Sequence, residues 1–324
     1  MKSLSAIVFI CALSCAEANA SSFEVVPRNT DPEIGAAFNS PHTTYVDRDI
    51  IIEKAPRSSQ DRHELLVFLP GTNGKAEGAK AFCELSAELG YHVVNLMYPD
   101  DVAASICAGD NKPTTFEEFR MALIAGGQSK YISIARADSI ENRLAKLLRY
   151  LHANHPDEGW NQFSNEDGTI KWSTVAVAGQ SQGGGHAALI GIKHRVARVV
   201  CTGAPKDFSK RLDAPAAWYA LESATPKACF FVFNHVQDPR GCTPKQLLMN
   251  LNALKLDAFG PPVDVTKEDP PYRHTRILVT SYPAVAVEGP NSKGAKIAHT
   301  SVIASANAVR WQKVWTYMLT ETVP

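Results

Sequence analysis

The sequence predicts an α/β protein with a mostly parallel central sheet and helices on both faces. Three observations lead there. Short, mostly apolar runs recur at 65–70, 91–97 and 175–178, and runs without regular polar alternation belong to strands covered on both sides. Between them lie segments of helical spacing, clearest in DSIENRLAKLLRYLHAN at 138–154, where Ile140, Leu144, Leu147, Leu148 and Leu151 share one side. The two kinds of segment alternate along the chain, the pattern of parallel strands joined by helical crossovers.

The first twenty residues, MKSLSAIVFICALSCAEANA, combine Lys2, an apolar stretch Ala6–Ala12 and the small-x-small triplet Ala18-Asn19-Ala20. They read as a secretory signal peptide over 1–20, with one catalytic domain over 21–324 and export to the periplasm or beyond. The apolar stretch falls short of the roughly 20 residues a bilayer span needs, and the residues before Cys15 fit a lipoprotein anchor poorly. Residues 21–59 are polar and irregular, with one expected strand at 49–53. The run 65–70 stops at Pro70-Gly71 as a buried strand. Residues 75–89 carry helical spacing up to Gly90, and 91–97 form the next strand, stopped by Pro99. From 100 to 131 the pattern loosens into a Gly- and Pro-bearing insertion. The amphipathic helix at 138–154 has Asp138 or Ser139 to cap it and Pro156 beyond its end. Strands are expected at 174–178, 197–201, 228–233 and 276–281. Helices are expected after Ser181 through His194, over 245–256 and over 302–319. Residues 204–226 form a short connection.

Lys plus Arg and Asp plus Glu both total 33 in 324 residues, so the formal net charge is zero. No basic excess points to nucleic acid or an anionic membrane. Beyond the leader lie Cys83, Cys107, Cys201, Cys229 and Cys242. In an oxidising compartment disulfides are expected, with Cys83–Cys107 and Cys229–Cys242 the preferred pairs and Cys201 a buried thiol. No CxxC or HxxxH spacing suggests a metal, and no cofactor is called for.

The stretch VAVAGQSQGGGHAALIG, 175–191, runs from an apolar strand into a serine fenced by glycines and then into a helix. Gly179-Gln180-Ser181-Gln182-Gly183 matches G-x-S-x-G, in which a strained strand-to-helix turn lifts a serine hydroxyl to where a base can reach it. A phosphate-binding loop is the competing reading, but the lysine of that motif is missing. The serine motif, the LPGT strand end before it, and an acid and histidine after it resemble the α/β-hydrolase superfamily over about residue 50 to the C-terminus. The elbow also resembles that of secreted, cutinase-like bacterial esterases, G-H-S-Q-G-G, with Gln180 in place of the histidine.

The resemblance implies the chain order Ser, acid, His. It assigns Ser181 as nucleophile and His299, before the final helix, as base. His274, His235, His186 and His194 are the other downstream histidines; the last two ride on the helix after the serine. Asp238, just past the apolar FFVF run, is the preferred acid, with Asp207 its rival. Backbone N–H groups of Gln182 and of Thr72, in the Gly71-Thr72-Asn73-Gly74 loop, would hold the oxyanion. Trp218 and Tyr219 read as packed aromatics, with a substrate wall the alternative. The activity implied is hydrolysis of a carboxylic ester through an acyl-enzyme. Residues 204–226 are too few for a large lid, so a fairly open site, suited to bulky or polymeric esters, is expected, with a small-molecule or polymeric ester as the partner. A peptidase or acyltransferase would use the same groups, and a non-catalytic binding protein on the same scaffold is the third reading.

Overall fold

The computed structural model describes residues 20–47 and 62–323. The expected leader before Ala20 and the expected strand at 49–53 lie outside the described residues. Nine strands form the main sheet: β1 (Ala20–Val25), β2 (His42–Asp47), β3 (Leu65–Leu69), β4 (His92–Asn95), β5 (Val175–Gln180), β6 (Arg198–Thr202), β7 (Phe230–His235), β8 (Val263–Asp264) and β9 (Ile277–Thr280). Their order across the sheet is β1-β2-β4-β3-β5-β6-β7-β9-β8. From β4 to β8 every neighbouring pair is parallel, and only the β1–β2 and β2–β4 pairs are antiparallel. The α/β class expected from the sequence is the class observed.

Among the described residues, seven helices of nine or more residues pack around this sheet: α1 (Lys80–Glu88), α2 (Thr115–Ala125), α3 (Ile140–Asn154), α4 (Gln182–Lys193), α5 (Pro244–Ala253), α6 (Lys293–Ser301) and α7 (Ala308–Thr320). Strand side chains alternate between two cores. Leu65, Val67 and Leu69 join Val175 and Val177 under α2, α3, α4 and α5. Leu66 and Phe68 join Ala176, Phe231 and Phe233 under α1 and α7. A strand buried on both faces gains nothing from polar alternation, which explains the continuous apolar runs. Local chemistry sets several ends: Ser139 Oγ accepts the Asn142 N–H at 3.2 Å to cap α3, and Thr243 with Gln246 forms a capping box on α5. Among the described residues no helix is long and apolar enough to cross a membrane.

Four expectations need correction. The segment 100–131 holds α2, whose Thr115, Phe116, Phe119, Arg120, Ala122, Leu123 and Ile124 are all buried. A helix buried on most sides has no polar stripe to betray its period. The expected helix over 302–319 is α7, which begins only at Ala308 after a short turn at Ser305–Asn307, and an unforeseen helix, α6, precedes it. Residues 21–47 supply two paired strands rather than irregular chain.

Neither expected disulfide forms, for all five described cysteines are free and buried. Cys83, on α1, faces the core on one side of the sheet, and Cys107 lies in the core on the other. Cys229 precedes β7 and Cys242 follows it. Six residues of strand between them span about 20 Å, whereas a disulfide needs Cα atoms within about 7 Å. Cys201 is the buried thiol expected, its Sγ 3.2 Å from the Gly184 carbonyl oxygen.

Candidate active site

Register aligns the carboxyl ends of the central strands. Leu69 stands opposite Gly179, Gln180 opposite Thr202, and Thr202 opposite Phe233. The loops after β3, β5, β6 and β7 therefore leave from one edge, the edge where parallel α/β sheets carry their sites.

Ser181 sits between β5 and α4 with φ 54° and ψ −116°. A non-glycine residue held there costs on the order of 1–3 kcal/mol, and the surrounding contacts hold it. The turn is too tight for side chains on its flanks: a Cβ on Gly183 would lie 2.0 Å from the Leu69 carbonyl oxygen. This is the physical content of the flanking glycines. Such a turn on such a sheet has a known arrangement. The mostly parallel sheet with helices packed on it is the α/β arrangement that the sequence resemblance implies.

A cavity of about 290 Å³ opens over this turn, lined by Thr72, Gln182, Ser181 and His299 among others. His299 is in the last turn of α6, not in the loop expected from the sequence. Its ring lies against Gly203, where a Cβ would come within 3.3 Å of the imidazole. His299 Nδ1 is 2.7 Å from Asp238 Oδ2. Asp238 is 1% exposed, and Lys206 Nζ donates to the same Oδ2 at 2.5 Å. The Arg240 N–H donates to Asp238 Oδ1 at 3.0 Å. Burial would raise the Asp238 carboxyl, but His299 and Lys206 outweigh it and hold it below the usual carboxylate value. His299 Nε2 and Ser181 Oγ both stay unpaired among the described residues. Catalytic hydrogen bonds are often long until substrate binds.

Thr72 Oγ1 donates to Gln182 Oε1 at 3.0 Å, and the Ala104 N–H donates to the same oxygen at 2.7 Å. These bonds pin Gln182 to the loop after β3. The backbone N–H groups of Thr72 and Gln182 have no protein acceptor among the described residues. Gln180, the position that departs from the histidine-bearing elbow, lays its Oε1 where a Gly71 Cβ would stand.

The rival residues are committed elsewhere. Asp207 is held by Arg120 Nε at 2.5 Å and Nη2 at 2.6 Å, and by Trp218 Nε1 at 2.9 Å. Trp218 and Tyr219 are buried behind the cavity rather than lining it. His274 pairs with Glu321 before β9, and His235 Nε2 lies 3.0 Å from the Pro283 carbonyl oxygen. His194 stacks on Trp172. His186 is fully buried in α4 with Nδ1 3.3 Å from Arg120 Nη1.

Two residues near the site escaped the sequence reading. Arg120, on the unforeseen α2, spans from Asp207 to the Gln182 carbonyl oxygen, to which Nη1 donates at 2.9 Å. Glu117 and Glu118 in the first turn of α2 were the available hint, since acids favour helix N-termini. Lys206, in the connection after β6, had no local signal at all.

No protein-family model and no curated protein matches this chain. Among solved structures 377 chains are similar. One, from Klebsiella pneumoniae subsp. pneumoniae MGH 78578 and provisionally assigned as a dienelactone hydrolase, is 12% identical over 92% of this chain and 98% of its own, with a TM-score of 0.42. A likeness of that degree carries no argument about this chain.

Protonation in this region has a direction. Burial pushes the His299 imidazole below its usual value, more than Asp238 restores, with Lys206 and Arg240 adding to the fall. Burial and then Arg120 hold His186 far below, and burial with Arg143 takes His42 down to about 3. His42 Nδ1 accepts the Met97 N–H at 3.0 Å, which needs a bare nitrogen. In the unfolded chain these rings bind protons near pH 6.5, and in the fold they do not. Stability is therefore full above about pH 6.5 and falls as pH drops below it, by up to about 1.4 kcal/mol per pH unit for each ring. Chemical denaturation at pH 7.5, 6 and 5 checks this. A flat stability profile would show that the rings are protonated inside the fold.

Proposed function

We propose that the protein is a serine hydrolase that cleaves carboxylic esters through an acyl-enzyme. The observation that supports this most is the strained Ser181 turn opening onto the cavity that also holds the His299 ring, itself tethered to a buried carboxylate. Serine is a weak nucleophile until a base removes its proton. His299 Nε2 is the base, and Asp238 fixes the Nδ1–H tautomer and stabilises the imidazolium that follows. Ser181 Oγ attacks the ester carbonyl, the two backbone N–H groups of Thr72 and Gln182 receive the oxyanion, and His299 returns its proton to the leaving alcohol. Water activated by the same ring then releases the acid. Each oxyanion donor is worth roughly 2.7–4 kcal/mol in such sites.

The cavity is at the small end of ligand pockets, about 290 Å³ against roughly 300–1,000 Å³ for drug-sized ligands. Threonine, asparagine, glutamine and charged side chains dominate its lining. The small volume favours a small ester over a polymer. The leader motif supports export of the enzyme.

A fluorophosphonate probe tests the reading. Mass spectrometry is expected to find one adduct, on the peptide bearing Ser181, together with turnover of 4-nitrophenyl esters that the probe abolishes. An unlabelled Ser181 in folded protein, or turnover that survives complete labelling, would sink it.

A further inference from the structure

Charge in the cavity is unbalanced. Four cationic side chains line it, Arg120, Lys206, Arg240 and Lys296. Two are neutralised in place. Arg120 holds Asp207 in a two-pronged ion pair, and Lys206 holds Asp238. The other two, Arg240 and Lys296, have side chains without an ion pair or hydrogen bond among the described residues. Among the described residues Asp207 is the one carboxylate lining the cavity, and it is already paired with Arg120.

Both free cations flank the acid–base pair in the chain. Arg240 follows Asp238 by two residues, and its main-chain N–H is bonded to that carboxylate. Lys296 stands one turn before His299 on α6, and residues three apart lie on the same side of a helix. The unpaired charge therefore converges on the mouth of the site. Arg240 is near enough to His299 to oppose a proton on its ring. Exposed lysines and arginines are ordinary on a surface. Two of them facing a concave site whose only lining acid is already paired are less so, because low-dielectric walls focus their field on whatever enters.

We infer that the ester this site takes carries a second, negatively charged group, a carboxylate, on its acyl or alcohol part, and that Arg240 and Lys296 receive it. The inference rests on the proposed ester hydrolysis and names its substrate class. An arginine fork matches a carboxylate in two parallel hydrogen bonds, while the lysine contributes a point charge. A neutral ester of equal length would leave both cations facing water and gain nothing from them.

The test compares mono(4-nitrophenyl) glutarate with 4-nitrophenyl pentanoate, matched in chain length and leaving group. Wild-type protein is expected to favour the anionic ester by about tenfold or more in kcat/KM at low ionic strength, with the preference shrinking in 0.5 M NaCl as the field is screened. In Arg240→Ala and in Lys296→Ala the anionic-to-neutral ratio falls, and in Arg240→Glu it drops below one. The ratio is internal to each variant, so a loss of folded protein does not alter it. Equal or better hydrolysis of the neutral ester by the wild type overturns the inference and leaves the serine-hydrolase reading standing. So does a ratio that ignores both salt and the substitutions. Hydrolysis of neither ester, with no probe on Ser181, overturns both.

Discussion

Replacing Ser181 with alanine is expected to lower kcat for ester hydrolysis by at least about 10⁴-fold, with the fold intact. Removing a nucleophile of this kind eliminates the covalent route, and what survives comes from the oxyanion donors and substrate binding. The variant also separates chemistry from strain. Alanine retains the Cβ that makes φ 54° costly, so Ser181→Ala should melt close to the wild type. Ser181→Gly removes that Cβ, and relief of about 1–2 kcal/mol is partly offset by the extra freedom of glycine in the unfolded chain. The glycine variant should therefore be equally inactive and melt no lower than the alanine variant. Kinetics and thermal melts of the pair check both halves. Turnover by Ser181→Ala near the wild-type rate would mean that another nucleophile does the work.

The second large effect is on stability. Arg120 and Asp207 are each about 2% exposed and bonded at 2.5 and 2.6 Å. Burial opposes the Arg120 charge, yet Asp207 more than compensates and keeps the guanidinium firmly protonated. Breaking such a pair by removing one partner costs about 3–5 kcal/mol, because the other charge is left buried and alone. Against a total of roughly 5–15 kcal/mol for a folded domain, Arg120→Met and Asp207→Leu should each lower the melting temperature by about 10 °C. Their combination should recover part of that loss, since no lone charge remains. Activity adds a readout that bulk stability does not move. Arg120 Nη1 supports the Gln182 carbonyl, so Arg120→Lys, which retains the charge but loses the fork, should reduce kcat more than it raises KM. Additive losses in the double variant, or an unchanged kcat in Arg120→Lys, would show that the pair is neither coupled nor tied to the turn.

The two effects mark the line between what could be read along the chain and what could not. The Ser181 turn depends on contacts within a few residues and one strand away, and its glycines declare the tight approach openly. The order of Ser181, Asp238 and His299 came from the family resemblance, carried by the serine motif and by an acid and a histidine downstream of it. The Arg120–Asp207 pair joins residues 87 apart, and nothing near Arg120 announced a buried partner. Its helix was hidden too: TFEEFRMALIA packs on several sides, so its apolar positions form no stripe. Spacing in the chain misled for the cysteines, because closeness in sequence says nothing of which face of the sheet a thiol occupies.

Alternation of apolar runs with amphipathic segments determined the layered α/β class, and the motif at 179–183 determined where the chain bends sharply, because both depend on neighbours a few positions apart. The position of His299 on a helix, the Lys206 contact on Asp238, the buried Arg120 fork and the separation of the thiols were decided only when the strands stacked in register. Such pairs form at the price of long-range closure, and the local chain carries no trace of which distant partner will be there.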